Sequence, residues 1–152
     1  MSKKLEITKV KGFDVWLLVA RVNLKVQRAL NKKLSEIGLS LPQHEILMAT
    51  FFQPGATQKQ IADSLLAVKS NLSMHINNLE EKGLIKRKTD EADSRIKRLW
   101  LTANAEQLVS QSFEIQNNIV SSMVSSVSGA ELKLIEELMN RVDSVLDEII
   151  EA

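Results

Sequence analysis

The 152-residue sequence predicts a mainly α fold that contains one small β-hairpin. Two observations carry this prediction. Apolar residues recur at helical spacing along most of the chain, and two short cationic strands follow a polar helix that ends at Gly83. A hairpin directly behind a polar helix is the layout of a winged helix-turn-helix, in which the hairpin is the wing. We therefore expect a winged helix-turn-helix core flanked by long N- and C-terminal dimerisation helices.

Local signals predict where the helices begin. Apolar spacing predicts a first helix over residues 11–37, which Gly38 closes in the left-handed conformation. Capping boxes, in which Ser or Thr is followed three residues later by Glu or Gln, begin at Ser40, Thr57 and Ser128. Each of them predicts the start of a further helix.

The middle of the chain completes this arrangement. A polar helix is predicted over about residues 69–82, and Thr102, after the hairpin, is predicted to cap a helix that runs to about residue 127. The organisation we expect is a single domain of three segments: an N-terminal dimerisation region at 1–39, a winged helix-turn-helix lobe at 40–102 and C-terminal dimerisation helices at 103–152.

Charge is distributed unevenly along the chain although the net charge is only +1. The first 102 residues carry 18 basic and 10 acidic residues, whereas residues 103–152 carry two basic and nine acidic ones. A basic front and an acidic tail indicate one face that turns towards a polyanion. The alternative is an ordinary solvated helix surface, since charge reports on association and not on fold.

Several classes of protein are disfavoured by what the sequence lacks. It has no Cys, which excludes disulfides and thiolate metal sites, and only two His, His44 and His75. The densest apolar run, Val15–Ala20, is far shorter than the roughly 20 residues of a membrane span. We expect no catalytic residues, no cofactor, no metal site and no membrane contact, and a cytoplasmic, nucleoid-associated location.

The terminal helices carry apolar residues that one chain does not cover easily. Val15–Ala20 is apolar on all sides of its helix. The last helix has a heptad-like apolar seam, formed by Leu132, Ile135, Met139, Val142, Leu146 and Ile149. We expect a second copy of the chain to cover these faces, giving a homodimer. The alternative is that the terminal helices pack on each other within a monomer.

The polar helix is the candidate DNA-recognition helix. Its solvent face carries amides, hydroxyls and an imidazole, which can hydrogen-bond to base edges, and its Asn residues lower helix propensity without a structural reason. The candidate contacts on this helix are Lys69, Ser70, Asn71, Ser73, His75, Asn77 and Asn78. The alternative for each residue is a solvent-facing side chain without a role.

The wing supplies cations for a DNA backbone. Six of them come together if the hairpin forms: Lys86, Arg87, Lys88, Arg95, Lys97 and Arg98. Among these, Lys88 and Lys97 suit phosphates, and Arg95 suits a narrow minor groove, with Asp93 placed to hold its guanidinium. The alternative is that the charges protect exposed strand edges from association.

Four spaced motifs resemble the MarR family of bacterial and archaeal transcriptional regulators. They are Leu41-x-Gln43-x-x-Ile46-Leu47, Thr57-x-x-Gln60-Ile61-Ala62-x-x-Leu65, Ser73-x-x-Ile76-x-x-Leu79-Glu80-x-Lys82-Gly83-Leu84-Ile85-x-Arg87 and Asp93-x-Arg95-x-x-x-Leu99-x-Leu101-Thr102. The resemblance implies a winged-helix homodimer that binds pseudo-palindromic double-stranded DNA operators. It also implies that a small, often aromatic and anionic, ligand releases the DNA.

Carried over position by position, the resemblance places Ser70, Asn71, Ser73 and His75 towards the major groove, and it matches Asp93 and Arg95 to the acid–arginine pair of the wing. Where the family often has Thr-Arg, this chain has Ser73-Met74. We expect Met74 to contact a thymine methyl group instead.

His44 occupies a family position near the junction of the dimer region and the DNA-binding lobe, where it could line a ligand pocket with Trp16. The alternative is a partly buried helix residue without a role. The function predicted from the sequence is thus a sequence-specific DNA-binding regulator, with repressor as the favoured role. The rival hypothesis is a winged-helix module that binds protein and not DNA.

Overall fold

The structure, a computed structural model, describes residues 10–65 and 71–152. Within these ranges it contains six α-helices and one antiparallel two-stranded sheet, which confirms the predicted mainly α fold with a hairpin. In chain order the elements are α1 Phe13–Ser35, α2 Leu41–Phe52, α3 Gln58–Ser64, α4 Leu72–Glu81, β1 Ile85–Thr89, β2 Lys97–Leu101, α5 Ala103–Met123 and α6 Gly129–Glu151.

The predicted helix starts are confirmed at all three capping boxes. Ser40, Thr57 and Ser128 each accept a hydrogen bond from the backbone N–H three residues on, and the side chain of that third residue accepts one in return. Gly38 has φ +76° after the first helix, as predicted for a left-handed closing residue. These boundaries are set by interactions within four residues of each other.

The end of the hairpin differs from the prediction in detail. Thr102 precedes α5, but its hydroxyl donates to the carbonyl oxygen of Gly83 at 2.6 Å and so ties the exit of β2 to the end of α4. The predicted end of α5 near residue 127 is wrong, because the helix stops at Met123 and a turn follows.

The chain divides into two compact units, one up to Ile119 and one from Val120 onward, so the boundary falls inside α5. The first unit has an apolar core to which α1 through α5 and the hairpin all contribute. Among the completely buried side chains of this core are Leu34, Ile46, Leu47, Ile61, Ile76, Leu79 and Leu99. Burial of each such Leu or Ile contributes about 1.5–3 kcal/mol, so this core fixes the position of α4 and the hairpin relative to α2.

The segment between α2 and α3 pairs with the hairpin. The N–H of Gly55 donates to the carbonyl of Leu99, and the N–H of Leu99 donates to the carbonyl of Ala56, both at 2.9 Å. Trp100 packs against Gly55 so closely that a Cβ there would lie 2.7 Å from its Cζ2 atom. The root of the wing is thereby fastened to the loop that leads into α3.

Helices α1 and α6 leave whole runs of apolar side chains exposed. On α1, residues Val15 through Val19 are between 40% and 62% exposed. In the second unit, α6 has no buried residue, and its exposed apolar side chains include all six of the predicted seam. Within the described ranges, no helix has the length and apolarity needed to cross a lipid bilayer.

Candidate nucleic-acid interface

Helix α4 presents the polar face that the sequence predicted. Leu72, Ile76 and Leu79 are buried in the core and fix the rotation of the helix. The opposite side consequently faces solvent, with Ser73, Met74 and Asn77 exposed and His75 and Asn78 half-buried. The helix has one buried and one exposed side because apolar residues spaced by four and three positions line the same side of a helix.

Helix α3 contacts the start of α4 through polar side chains. Nε2 of Gln58 donates to Oγ of Ser73 at 2.6 Å, which joins the first turn of α3 to the first turn of α4. Ser73 therefore helps to set the angle between the two helices, in addition to facing solvent. Gln58 was not among the predicted site residues, and no local sequence spacing links it to Ser73.

The predicted helical position of Asn71 is wrong. Asn71 precedes α4 and has φ +60°, the only positive φ of a non-glycine residue in the described ranges. Asn tolerates this left-handed conformation better than most residues because its short polar side chain can hydrogen-bond locally. Its exposed side chain lies at the N-terminal end of α4. Lys69 and Ser70, also predicted contacts, lie outside the described residues.

Asn77 is exposed but engaged within the protein. Its Oδ1 accepts a hydrogen bond from Nη2 of Arg87 at 2.7 Å, while Nη1 of Arg87 forms an ion pair with Glu80. Arg87 thus joins the first strand of the wing to the side of α4. The other predicted residues of α4, which are Ser73, Met74, His75 and Asn78, lie within two turns of this one helix.

The tip of the wing displays a single arginine. Asp93 accepts hydrogen bonds from Nε and Nη2 of Arg95, at 3.1 and 3.0 Å, and from its backbone N–H at 3.0 Å. The Arg95 side chain is nevertheless 89% exposed. The predicted pairing of these two residues is therefore present, with the guanidinium oriented by one carboxylate and still accessible.

The electrostatics of the tip follow from these bonds. The hydrogen bonds that the Arg95 side chain donates, followed by the one from its backbone, lower the pKa of Asp93. The same ion pair raises the pKa of Arg95. Both groups therefore stay charged at neutral pH.

The predicted lysine contacts of the wing lie along the strands. Lys88 and Lys97 are both exposed. The ammonium of Lys88 lies 5.3 Å from the centre of the Trp100 ring, a cation–π distance, and Nζ of Lys97 donates to Oγ1 of Thr89 at 2.6 Å. Register explains the second contact, because Thr89 and Lys97 face each other across the hairpin.

Arg98 bonds mainly to other groups of the protein and stabilises the wing. It forms an ion pair with Asp90, whose pKa is lowered by this side-chain hydrogen bond and then by the backbone N–H groups of Asp93 and Ala92. It also donates to the carbonyl oxygen of Gly55 at 3.0 Å. Of the three wing arginines, two are thus used internally and one is displayed.

A cavity of about 300 Å³ lies next to α2, and His44 is part of its wall. The imidazole is 2% exposed, and its Nε2 lies 2.7 Å from Oε1 of Gln116 on α5. Burial lowers the pKa of His44, and the hydrogen bond to Gln116 opposes this shift in part. The described lining residues are Leu41, His44, Glu45, Met48, Ala49, Phe52, Gln53, Ser64, Leu65 and Gln116.

Trp16, which the sequence suggested could line a ligand pocket with His44, is not among the described residues that line this cavity. Trp16 is 61% exposed on α1, where its ring lies 5.5 Å from that of Phe13. Hydrophobic spacing predicts that an apolar side chain such as Trp16 is buried in an interface, but it does not predict which surface packs against it. Among the described residues, no cluster of His, Asp or Glu is arranged to hold a metal ion.

Part of the chain matches a known protein family. Residues 37–96, which include the helix-turn-helix and most of the wing, match the family model described as MarR family. Transcriptional regulator HosA of Escherichia coli O111:H- is 27% identical over 104 residues, which cover 68% of this chain and 77% of HosA.

Solved structures share the fold over most of the chain. The S. aureus MepR–DNA complex superposes with a TM-score of 0.77 at 26% identity, covering 85% of this chain and 96% of MepR. The organohalide-sensing regulator RdhR-CbdbA1625, solved without ligand and with 2,4-dichlorophenol, gives 0.77 at 20% identity, covering 91% and 83%. At this level of identity, the similarity to RdhR-CbdbA1625 shows only that the fold is shared. Residues 37–96 resemble the MarR family, as the motifs of the sequence predicted, and the chain shares its winged-helix fold with MepR over most of its length.

Proposed function

We propose that this protein is a DNA-binding transcriptional regulator of the MarR family and not an enzyme. It acts as a homodimeric repressor that binds a pseudo-palindromic operator. Helix α4 enters the major groove with Ser73, Met74 and His75 towards the bases, and the wing reaches the flanking minor groove. Two copies of α4 would lie about 34 Å apart, one turn of the DNA helix. The observation that carries the proposal is Arg95, held by Asp93 and 89% exposed at the tip of the wing.

The proposed contacts divide by the chemistry of their side chains. Amides, hydroxyls and the imidazole on and next to α4 suit base edges, whereas Lys88 and Lys97 suit phosphates. Asn77 contributes less to this readout than its neighbours, since its carbonyl oxygen is already bonded to Arg87. Lys69 and Ser70 remain proposed contacts on the strength of the family resemblance.

The proposed dimer uses the apolar faces of α1 and α6. Exposed apolar side chains on both helices would be covered by a second copy of the chain, which removes them from water. The proposed division of labour is a DNA-binding lobe at 40–102 between dimerisation segments at 1–39 and 103–152. A cytoplasmic, nucleoid-associated location follows from an operator in chromosomal DNA.

We further propose that a small aromatic or anionic ligand releases the DNA. The cavity beside His44 is the candidate site, and its 300 Å³ suits a single-ring molecule. RdhR-CbdbA1625, which shares the fold, has been solved with 2,4-dichlorophenol. Release would follow if the ligand binds more tightly to the conformation that does not fit the operator.

A mobility-shift assay with genomic fragments across a series of salt concentrations tests the DNA-binding proposal. Affinity should fall steeply and linearly on a logarithmic scale as salt rises, because phosphate contacts release counterions. Retention of one fragment over excess competitor DNA would show sequence specificity. Absence of binding at low salt would instead favour the protein-interaction module. A reporter with the selected fragment inside its promoter then separates repression from activation.

A further inference from the structure

Arg98 lies where the wing, its tip and the α2–α3 loop meet. Its Nη1 donates to the carbonyl oxygen of Gly55, 43 residues away in sequence, at 3.0 Å. Its Nε donates to the carboxylate of Asp90, the first residue after β1. One guanidinium therefore connects the turn at the wing tip to the loop that leads into the helix-turn-helix.

Asp90 organises the backbone of that turn. Its Oδ1 accepts hydrogen bonds from the N–H groups of Ala92 and Asp93, at 2.9 and 3.0 Å, while Oδ2 faces Arg98. Its own N–H donates to the carbonyl of Ile96 at 3.0 Å, and its side chain is only 13% exposed. The carboxylate that Arg98 holds thus fixes the segment that carries Asp93, which in turn holds Arg95.

We propose that Arg98 is a positioning residue for Arg95. It acts through Asp90 and Asp93 and sets where the displayed guanidinium lies relative to α4. This inference rests on the proposed function, in which Arg95 contacts DNA. A two-stranded hairpin is only marginally stable by itself, and it opens locally. A bond from its tip to the rest of the protein therefore determines how precisely the tip is positioned.

The surroundings of Arg98 do not suit a direct phosphate contact. Its charge is compensated by Asp90, and two of its nitrogens are used by acceptors within the protein. Arg95 is also paired with a carboxylate, but its side chain is 89% exposed, against 39% for Arg98. The two arginines therefore have different roles: Arg98 holds the tip of the wing, and Arg95 faces solvent.

Two variants break the ion pair between Arg98 and Asp90, each by changing one of the partners. Arg98→Gln removes the guanidinium. Asp90→Asn is the conservative partner, because Oδ1 still accepts the two backbone N–H groups while the amide nitrogen faces Arg98 in place of Oδ2. Lys86→Gln is the matched control, since it removes one positive charge from an exposed residue of β1. Thermal melts followed by circular dichroism establish that each variant is folded.

Amide hydrogen exchange of the free protein tests the positioning without DNA. In Arg98→Gln and Asp90→Asn, the N–H groups of Asp90 and Ile96 should exchange about tenfold faster, as expected when a charge-assisted hydrogen bond is lost. The control should exchange like the wild type. Unchanged exchange in both variants would overturn the proposal, whatever the DNA result.

A double-mutant cycle on a duplex fragment, selected from a random library by the wild-type protein, tests the consequence for binding. Arg95→Ala should lower affinity about tenfold in the wild-type background and less than about threefold when Arg98→Gln is present, because the contact is then already misplaced. Equal losses in both backgrounds would refute the role of Arg98. Failure of the wild-type protein to select any fragment would instead refute the proposed function, and with it the DNA part of this inference.

Discussion

His44 Nε2 lies 2.7 Å from Oε1 of Gln116, and this hydrogen bond joins α2 to α5 within the first unit. With Oε1 as the acceptor, Nε2 carries the proton. Nδ1 is buried and has no partner among the described residues. A second proton on the ring would therefore be placed in a site that offers it no acceptor, so the buried Nδ1 favours the neutral imidazole.

Stability should depend on pH through His44. Burial lowers its pKa, so the unfolded chain takes up this proton at a higher pH than the folded chain does. The free energy of unfolding should have its full value above about pH 6.5, the pKa of histidine in the unfolded chain. As the pH is lowered further, it should decrease by at most about 1.4 kcal/mol per pH unit. Urea unfolding between pH 5 and 8 measures this slope.

Two substitutions assign the pH effect to one histidine. His44→Gln, which keeps a polar partner for Gln116, should flatten the dependence between about pH 5 and 6.5. His75→Gln, on α4, should leave it in place. A slope that survives in His44→Gln would show that another group is responsible.

Arg95→Ala should weaken DNA binding without affecting the fold. The side chain is exposed and bonded only to Asp93 in the described structure, so its loss removes a DNA contact of about 1–3 kcal/mol, or roughly tenfold to a hundredfold in affinity. Fluorescence anisotropy with a labelled fragment measures this change. Lys133→Ala, an exposed cation on α6, is the matched control. Equal affinity of Arg95→Ala and wild type would remove Arg95 from the interface.

Gly55→Ala should destabilise the first unit by about 1–3 kcal/mol. Its φ of +80° is strained for any other residue, and the new Cβ would lie 2.7 Å from the Trp100 ring. Chemical denaturation gives the difference in free energy of unfolding. Trp100→Leu in the same chain should recover part of the loss by removing the clash.

Gly129→Ala serves as the control for that experiment. Gly129 is the first residue of α6, where no heavy atom lies within 4 Å of an added Cβ and no positive φ is needed. Its replacement should change the free energy of unfolding by less than about 0.5 kcal/mol. A similar loss at both glycines would mean that the contact with Trp100 is not what matters at Gly55.

Negative charge on the seam of α6 should give monomers. Val142 and Leu146 are each about half exposed on one face of the helix. Val142→Glu with Leu146→Glu would bury two carboxylates in the proposed interface, which is strongly unfavourable. Light scattering should then report the 17.1 kDa mass of one chain, where the wild type gives twice that mass.

The control places the same charges on the other side of that helix. Asn140→Glu with Ser144→Glu changes exposed positions turned away from the seam, so the dimer should persist. Monomers from both double variants would indicate that α6 is sensitive to charge in general. A dimer that survives the seam variant would contradict the assignment of the interface.

Features that depend on a few neighbouring residues could be predicted from the sequence. The capping boxes at Ser40, Thr57 and Ser128 each satisfy orphan N–H groups within one turn, and the structure confirms all three. The pairing of Asp93 with Arg95 is equally local, since donor and acceptor are only two positions apart in the sequence. Such contacts form in the same way in almost any tertiary surrounding.

Features that depend on how the elements pack could not be predicted. Arg98 reaches Gly55 only because β2 pairs with the segment after α2, and Asn77 meets Arg87 only because β1 returns along α4. Spacing alone gives these residues the same appearance as any exposed Asn or Arg. For that reason the sequence did not reveal that Arg87 and Arg98 bond within the protein.

The ion pairs of the wing have a consequence for the search for a site along the chromosome. Attraction to DNA of any sequence is almost entirely electrostatic. Glu80, Asp90 and Asp93 each compensate one arginine, so the wing pulls on random DNA less than its cations alone would suggest. A regulator with a weaker hold on random sequence spends less time at wrong positions, and its occupancy then depends more on the base contacts of α4.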